Sequence, residues 1–344
     1  MKFALIWDSS IGVSSFYTKN GIGYNYHTNK PYTFHDAISP ECYNANWNFL
    51  FMFEQGHFIN LQEFVEQDLD YPELDLDLIF LSFERIALDD KTEHLYNIEK
   101  VRKKYPNAKI VGFLKEITVK PHRFENRMKF LNKCDYVIAP GVTTMKTISQ
   151  HITIESELLK RGSNKLNYIT VPFNIDWVYD KFYTNQKEKS IFSYTTSPVH
   201  RRVDTFNFAQ EMGRKYNLPV KYKRINDWAS GEKFNYMPLK DFIQLWSPSI
   251  FHFNLDPEIT QPGTQCIQVA NVGSIQMGGL NESHQILFPE TATTDKKILE
   301  EKLVEYLKDE NKIFEVINYA WEKLNETYAP SIVKKQILDI VSDK

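Results

Sequence analysis

A single run, Thr264-Gln-Cys-Ile-Gln-Val-Ala-Asn-Val-Gly-Ser-Ile-Gln-Met-Gly278, restricts the fold of this chain more than any other. Just before it, Pro248-Ser-Ile-Phe-His-Phe-Asn-Leu-Asp256 reads as a short buried strand that ends in polar residues and a turn at Pro257. Within the run, Gly273 stops a one-sided helix and Ser274-Ile-Gln-Met277 forms the next strand. Strand, polar loop, helix, glycine, strand is a βαβ unit, with a ligand-sized loop where the first strand hands over to the helix.

The same rhythm runs through the rest of the chain. Lys2 to Trp7 is an apolar strand followed by a small-residue loop, Asp8-Ser-Ser-Ile-Gly12. An apolar helix, Trp47 to Phe53, ends at Gly56 and leads into a strand, His57 to Asn60. Further strands are predicted over Asp77–Ser82, Lys109–Leu114 and Tyr136–Ala139, with helices over Glu93–Tyr105 and Phe124–Asn132. Nearly all positions of Asp77-Leu-Ile-Phe-Leu-Ser82 are apolar, as in strands buried on both faces. In the second half, strands are predicted at Ser190–Tyr194 and Val220–Arg224, and helices at Val203–Tyr216 and Leu239–Trp246. Two long helices, Asp295–Leu307 and Lys312–Glu326, follow the βαβ unit. Alternation of this kind predicts an α/β chain with parallel, doubly wound sheets.

At 344 residues the chain exceeds what one core usually supports, so two domains are expected. They are drawn at 1–172 and 190–344, joined by a charged, structure-poor linker at 173–189, with the last helix able to pack back on the first domain. Aromatic residues make up 14% of the chain, enough to serve a large core or stacking surfaces. Net charge is −3, but its distribution is uneven: between Lys100 and Lys133 eleven Lys or Arg face two acids, Glu116 and Glu125. Cys42, Cys134 and Cys266 are odd in number and lack metal spacing, which argues against a disulfide framework or a zinc site. With no charged-then-apolar leader and no apolar run long enough to span a bilayer, a cytoplasmic protein is expected.

Several phrases resemble those of GT-B glycosyltransferases. Gln55-Gly56-His57 is similar to the Gly-His pair that opens their second strand. Val171-Pro-Phe-Asn-Ile-Asp176 resembles their interdomain phrase, and Leu287-Phe-Pro-Glu290 with the helix after Asp295 resembles the tail beyond their donor site. Size and element order also resemble the phage DNA glucosyltransferases. The resemblance implies two Rossmann-like doubly wound domains facing a central cleft, with the acceptor on the first and a nucleotide sugar, of UDP type, on the second. One departure stands out. Where many retaining members carry two glutamates eight residues apart, this chain has Thr260 and Gln268. Gln268 keeps hydrogen-bonding capacity for a ribose hydroxyl but not the strength that charge adds; a plain surface position is the alternative.

A nucleotide-diphosphate leaving group needs cations and N–H groups where no metal is bound. Thr195-Thr-Ser-Pro-Val-His-Arg-Arg202 supplies hydroxyls, two arginines and the start of a helix together. Arg201 and Arg202 are the candidate phosphate ligands, with Thr196, Ser197 and His200 beside them; a solvated pair is the alternative. Gly263, Thr264, Gln265 and Gln268 are candidates along the second loop and helix. For acceptor activation the candidate base is Glu116, at the carboxyl end of a predicted strand; its rival role is a salt bridge with Lys115 or Lys120. Asp8 is a second candidate, with a helix cap as its alternative. His27, His57 and His122 lack an evident partner and are read as structural. Asp68-Leu-Asp70 and Asp75-Leu-Asp77 imitate a metal-binding pattern but precede a strand, so they are read as a solvated surface and no metal ligand is assigned.

These features predict a metal-independent glycosyltransferase that needs no cofactor besides its sugar donor. Its acceptor is a glycan or a hydroxymethylated DNA base, held through the basic segment 100–133. A basic acceptor domain also suits peripheral contact with an acidic membrane. A non-catalytic nucleotide-sugar or glycan binding protein, and a sugar-nucleotide epimerase of the same architecture, are the alternatives.

Overall fold

The computed structural model describes residues 1–7, 15–19, 22–26, 28–32, 49–50, 52–53, 55–66, 74–82, 98–114, 128, 130–141, 156–160, 166–172, 187–195, 203–224, 244–255 and 264–342. They fall into two units, one from Met1–Phe34, Asn44–Pro172 and Pro330–Lys344, the other from Phe173–Ala329.

The first unit is built on β1 (Phe3–Trp7), β2 (Phe16–Lys19), β3 (Ile22–Asn25), β4 (Pro31–Tyr32), β5 (Gly56–Asn60), β6 (Leu78–Ser82), β7 (Lys109–Phe113), β8 (Tyr136–Pro140) and β9 (Leu166–Ile169). They form one sheet in the order β4-β3-β2-β5-β1-β6-β7-β8-β9. β1 lies between β5 and β6, parallel to both, and every residue of Phe3-Ala-Leu-Ile-Trp7 is buried, which is why the strand is apolar without alternation. Its side chains still sort by the two-residue period. Phe3 stacks on Phe53 at 4.6 Å and meets Phe80 edge-on at 5.1 Å, and Phe49 meets Phe113 at 5.2 Å. Ala4 and Ile6 turn the other way, into a core with Ile59, Ile79 and Ile110 beneath helices α1 (Leu61–Glu66) and α2 (Ile98–Lys104). Much of the aromatic content is therefore core.

Alternation alone predicts a fully parallel sheet, and the structure corrects this: β2, β3 and β4 extend it as an antiparallel ribbon. Asn20-Gly21, between two strand-like segments, is a hairpin signal in the sequence. Leu166–Ile169, just before the interdomain phrase, pairs with β8 as an edge strand, and the next described strand begins at Glu188.

The second unit carries β10 (Glu188–Thr195), α3 (Val203–Tyr216), β11 (Val220–Arg224), β12 (Ser249–Phe253), α4 (Thr264–Asn271), β13 (Ile275–Met277), α5 (Glu282–Leu287), α6 (Lys296–Lys308) and α7 (Glu310–Tyr328). Its sheet is wholly parallel, in the order β11-β10-β12-β13. Asp295 and Asp309 cap α6 and α7 by accepting from the amides of Lys297 and Asn311, at 2.9 and 3.0 Å. Phe251 packs near-parallel to Tyr306 of α6, with centroids 6.5 Å apart. A third terminal helix, α8 (Pro330–Ser342), follows the two that were expected. Its buried residues Val333, Ile337 and Val341 recur every four positions, and Gln336 Oε1 accepts from the Thr170 amide at 2.9 Å. This ties α8 to β9 of the first unit.

Candidate functional site

In the second unit, β10 is followed by β11 on one side and by β12 on the other. Such an order is a topological switch point: in open parallel sheets, right-handed crossovers leave it from opposite faces and ligands bind beyond the carboxyl ends of its two strands. α3, fourteen residues long, starts there at Val203, and α4 starts at Thr264. The Thr205 hydroxyl accepts from the Leu255 amide at 3.0 Å, pinning the first turn of α3 to the end of β12. Asp204, in that turn, is paired with Lys296 at 3.0 Å, so its charge only partly offsets the positive end of the helix dipole.

α4 buries Cys266, Ile267, Val269 and Ala270, leaving Gln265 and Gln268 half-buried one turn apart on the opposite side. Gln265 Oε1 accepts from Asn254 Nδ2 at 3.1 Å, so its carbonyl is already engaged and its amide nitrogen is what it can offer. Gln268 is one helical turn beyond Thr264, where a ribose hydroxyl beside the helix start can be met.

A feature missed in the sequence follows β13. Gly278 and Gly279 both have positive φ, +94° and +106°, and their amides donate to the carbonyls of Thr291 and Thr293 at 3.0 and 3.1 Å. A Cβ on Gly278 would lie 2.5 Å from the Asn254 carbonyl oxygen, and one on Gly279 would lie 2.6 Å from the His284 ring. His284 is fully buried, and burial drives its pKa down to about 3, so the imidazole is neutral. Asn281 caps α5 by accepting from the His284 amide at 3.1 Å. Two adjacent glycines after a short strand, then an Asn before a helix, were the available signal.

Of the predicted site residues, Thr264, Gln265 and Gln268 stand on α4. Thr196, Ser197, His200, Arg201, Arg202 and Gly263, and in the first unit Asp8 and Glu116, lie outside the described residues. Their chain neighbours are placed: Thr195 ends β10, Trp7 ends β1, and Leu114 directly follows β7. All three mark carboxyl ends of parallel strands. His57, read as structural with no evident partner, pairs through Nδ1 with the Tyr26 hydroxyl, and burial lowers its pKa to about 4. His27 and His122, like Asp68 and Asp70, lie outside the described residues. Asp77 accepts from the Lys2 amide at 2.6 Å and Asp75 meets the Lys2 ammonium at 3.4 Å, at the amino ends of β1 and β6.

The described half of the basic segment is also at the amino end of the sheet. Arg102 pairs with Asp135 at 2.9 Å, Lys133 with Glu99 at 3.9 Å, and Lys109 reaches the Val341 carbonyl at 2.5 Å. Lys100, Arg102, Lys103 and Lys104 sit in the α2 turns that lead into β7, opposite its carboxyl end. Lys115, Lys120, Arg123, Arg127 and Lys129 lie outside the described residues. Among the described residues no group of three His, Cys, Asp or Glu could hold a metal ion, and no helix is long and apolar enough to cross a membrane.

No family model and no curated protein matches the chain by sequence. Solved structures do. An alpha-glucosyltransferase of phage T4, in complex with UDP-glucose and DNA containing an abasic site, matches with a TM-score of 0.57 and 12% identity, over 84% of this chain and 86% of that one. The same enzyme with UDP and a DNA containing an HMU base gives a TM-score of 0.59 at 11% identity, over 84% and 85%. Anabaena HepE, in complex with UDP and glucose, gives 0.53 at 10% identity over the whole of both chains. The chain has the fold of the GT-B glycosyltransferases.

Proposed function

We propose that this protein is a glycosyltransferase that moves a sugar from a UDP-type donor to a hydroxyl acceptor. The observation that carries the reading is the β10/β12 switch point, with α3 and α4 as the helices that follow these two adjacent parallel strands, in a fold shared with enzymes captured holding UDP. The diphosphate lies at the α3 start, its charge met by Arg201 or Arg202, with Thr196, Ser197 and His200 adding hydrogen bonds. The backbone at Gly263 and Thr264 completes the phosphate cradle, and Gln265 and Gln268 take the nucleoside. As the sugar–phosphate bond breaks, negative charge grows on the leaving oxygen, and these donors stabilise it without a metal. In the first unit Glu116 takes the acceptor proton, or Asp8 does so from the neighbouring strand end.

A glycan is the acceptor favoured by the described cations, because those of residues 100–109 and Lys133 are paired or face away from the carboxyl ends of the strands. A hydroxymethylated DNA base is the second reading, supported by the five basic residues that follow Leu114 in the chain. The test is UDP release from UDP-sugars with candidate acceptors, with and without a chelator. Turnover that persists in EDTA supports the reading; turnover lost in EDTA and restored by manganese overturns the metal-free mechanism.

A further inference from the structure

The sheet face that α1 and α2 cover over the parallel strands continues onto the antiparallel ribbon, where tyrosines replace aliphatic residues. In register across it run Ala4, His57, Tyr17, Tyr24 and Pro31, one from each of β1, β5, β2, β3 and β4. Ala4 and His57 are buried, whereas Tyr17 and Tyr24 are half-buried and Pro31 is exposed. The Tyr17 and Tyr24 rings lie 5.4 Å apart and within 19° of parallel, and Tyr26 adds a third ring 5.3 Å from Tyr17. At ~4.8 Å between strands, the row from His57 to Pro31 spans about 14 Å.

We propose that this tyrosine row is a binding surface for a neutral glycan chain, gripping a polymeric acceptor away from the point of transfer. That purpose rests on the glycosyltransferase reading, but sugar binding itself does not require the donor. The apolar C–H face of a pyranose packs on an aromatic ring, while its hydroxyls meet polar tips at the rim, and tyrosine offers both. The surface is held in shape before any ligand arrives. Tyr17 donates to Asn29 Oδ1 at 2.7 Å, Tyr26 is tied to His57, and the Thr28 amide donates to Asn25 Oδ1 at 3.0 Å. Such preorganisation lowers the entropy lost on binding.

Charge selects the class of ligand. From Ser9 to His35 there is no acid, and Lys19 and Lys30 are the two Lys or Arg residues, among four tyrosines and three asparagines. A nucleic-acid strand laid along the row would present several phosphates to two exposed lysines, whereas stacking sites for such strands join aromatics to a basic groove. Two lysines give an anionic chain few partners, and within Ser9–His35 a cationic one meets no acid. An uncharged polyol needs neither.

The test uses the full chain and neutral hexasaccharides of glucose, mannose, galactose and N-acetylglucosamine, without donor, by calorimetry and saturation-transfer NMR. At least one should bind; Tyr24→Thr should weaken it about tenfold or more, and Tyr24→Phe by less than about threefold. As a readout free of mutation, the bound hexasaccharide should protect Tyr24 from nitration, measured by mass spectrometry. Binding of none by wild-type protein that still binds UDP overturns the surface and leaves the donor reading standing; absence of UDP binding strikes the donor reading instead. Sugar binding with no protection of Tyr24, or undiminished in a folded Tyr24→Thr protein, also overturns it. An oligodeoxynucleotide bound by wild type and lost in Tyr24→Thr would assign the row to a polynucleotide. A dimer lost in that variant would assign it to self-association.

Discussion

The Gly278-Gly279 step after β13 allows a double-mutant test whose outcome follows from atomic distances. Each glycine has φ near +100°, so an alanine at either position carries backbone strain of about 1–3 kcal/mol. Each added Cβ also meets an obstacle. At Gly279 the obstacle is the His284 ring, 2.6 Å away at its nearest carbon; at Gly278 it is the Asn254 carbonyl oxygen, 2.5 Å away. Contacts this short in a packed core cost about a further 1–3 kcal/mol, so each single variant should lose ~2–6 kcal/mol. The obstacles differ in kind: a side chain can be cut away and a backbone carbonyl cannot. His284→Ala leaves a cavity and costs about 2–4 kcal/mol by itself. Combined with Gly279→Ala, it should be less than additive by ~1–3 kcal/mol, because the overlap has gone while the φ strain stays. Combined with Gly278→Ala, it should add within ~0.5 kcal/mol. Urea denaturation of the five variants, followed by circular dichroism and fitted to the second unit's transition, gives each value. Equal coupling of His284 to both glycines, or to neither, would refute the packing described here.

Gln268 should contact the donor nucleoside. Gln268→Glu should tighten UDP by about 1 kcal/mol by making the ribose hydrogen bonds charge-assisted, and Gln268→Ala should weaken it by a similar amount. Unchanged calorimetric affinity in both variants would return Gln268 to a plain surface role. Lys187 should make stability pH-dependent. Its ammonium donates to the Val272 carbonyl at 2.6 Å and to Ser274 Oγ at 3.1 Å, yet burial lowers its pKa from 10.5 to about 7. Between those two values the unfolded chain binds more protons than the folded one, so Lys187 makes stability rise with pH across that window and adds no slope below it. A gap of about 3.5 pH units at 1.36 kcal/mol each sets an upper limit near 5 kcal/mol, which the oxygen partners of the charged form reduce. A stability difference between wild type and Lys187→Met that stays flat from pH 7 to 10.5 would contradict this.

Strands buried on both faces were the most legible part of the chain. Phe3–Trp7 and Leu78–Leu81 sit between parallel neighbours, and their side chains all leave water, so the apolar run is itself the signal. Helix α3 matched its predicted ends because a Pro219 break and an amphipathic run bound it. The antiparallel ribbon was harder to see, since Tyr17, Tyr24 and Tyr26 are half-exposed and interrupt the usual contrast between apolar and polar positions. β9 escaped notice because an edge strand has one paired side, and Leu-Asn-Tyr-Ile shows half-buried residues at its centre. Of the candidate site, the order of β10, α3, β12 and α4 was legible, whereas the commitment of Gln265 to Asn254 and the wedge of His284 under Gly279 depend on neighbours distant in sequence.

The central claim, that the switch point of the second unit binds a nucleotide diphosphate, is tested most directly by titrating UDP into wild-type protein and into Arg201→Ala/Arg202→Ala, without divalent metal. Wild type should bind, and the double variant should bind more weakly by ~1.5–3 kcal/mol, or roughly 10- to 150-fold, with its fold intact. No heat of UDP binding to wild-type protein, or the same affinity in both, would contradict the account.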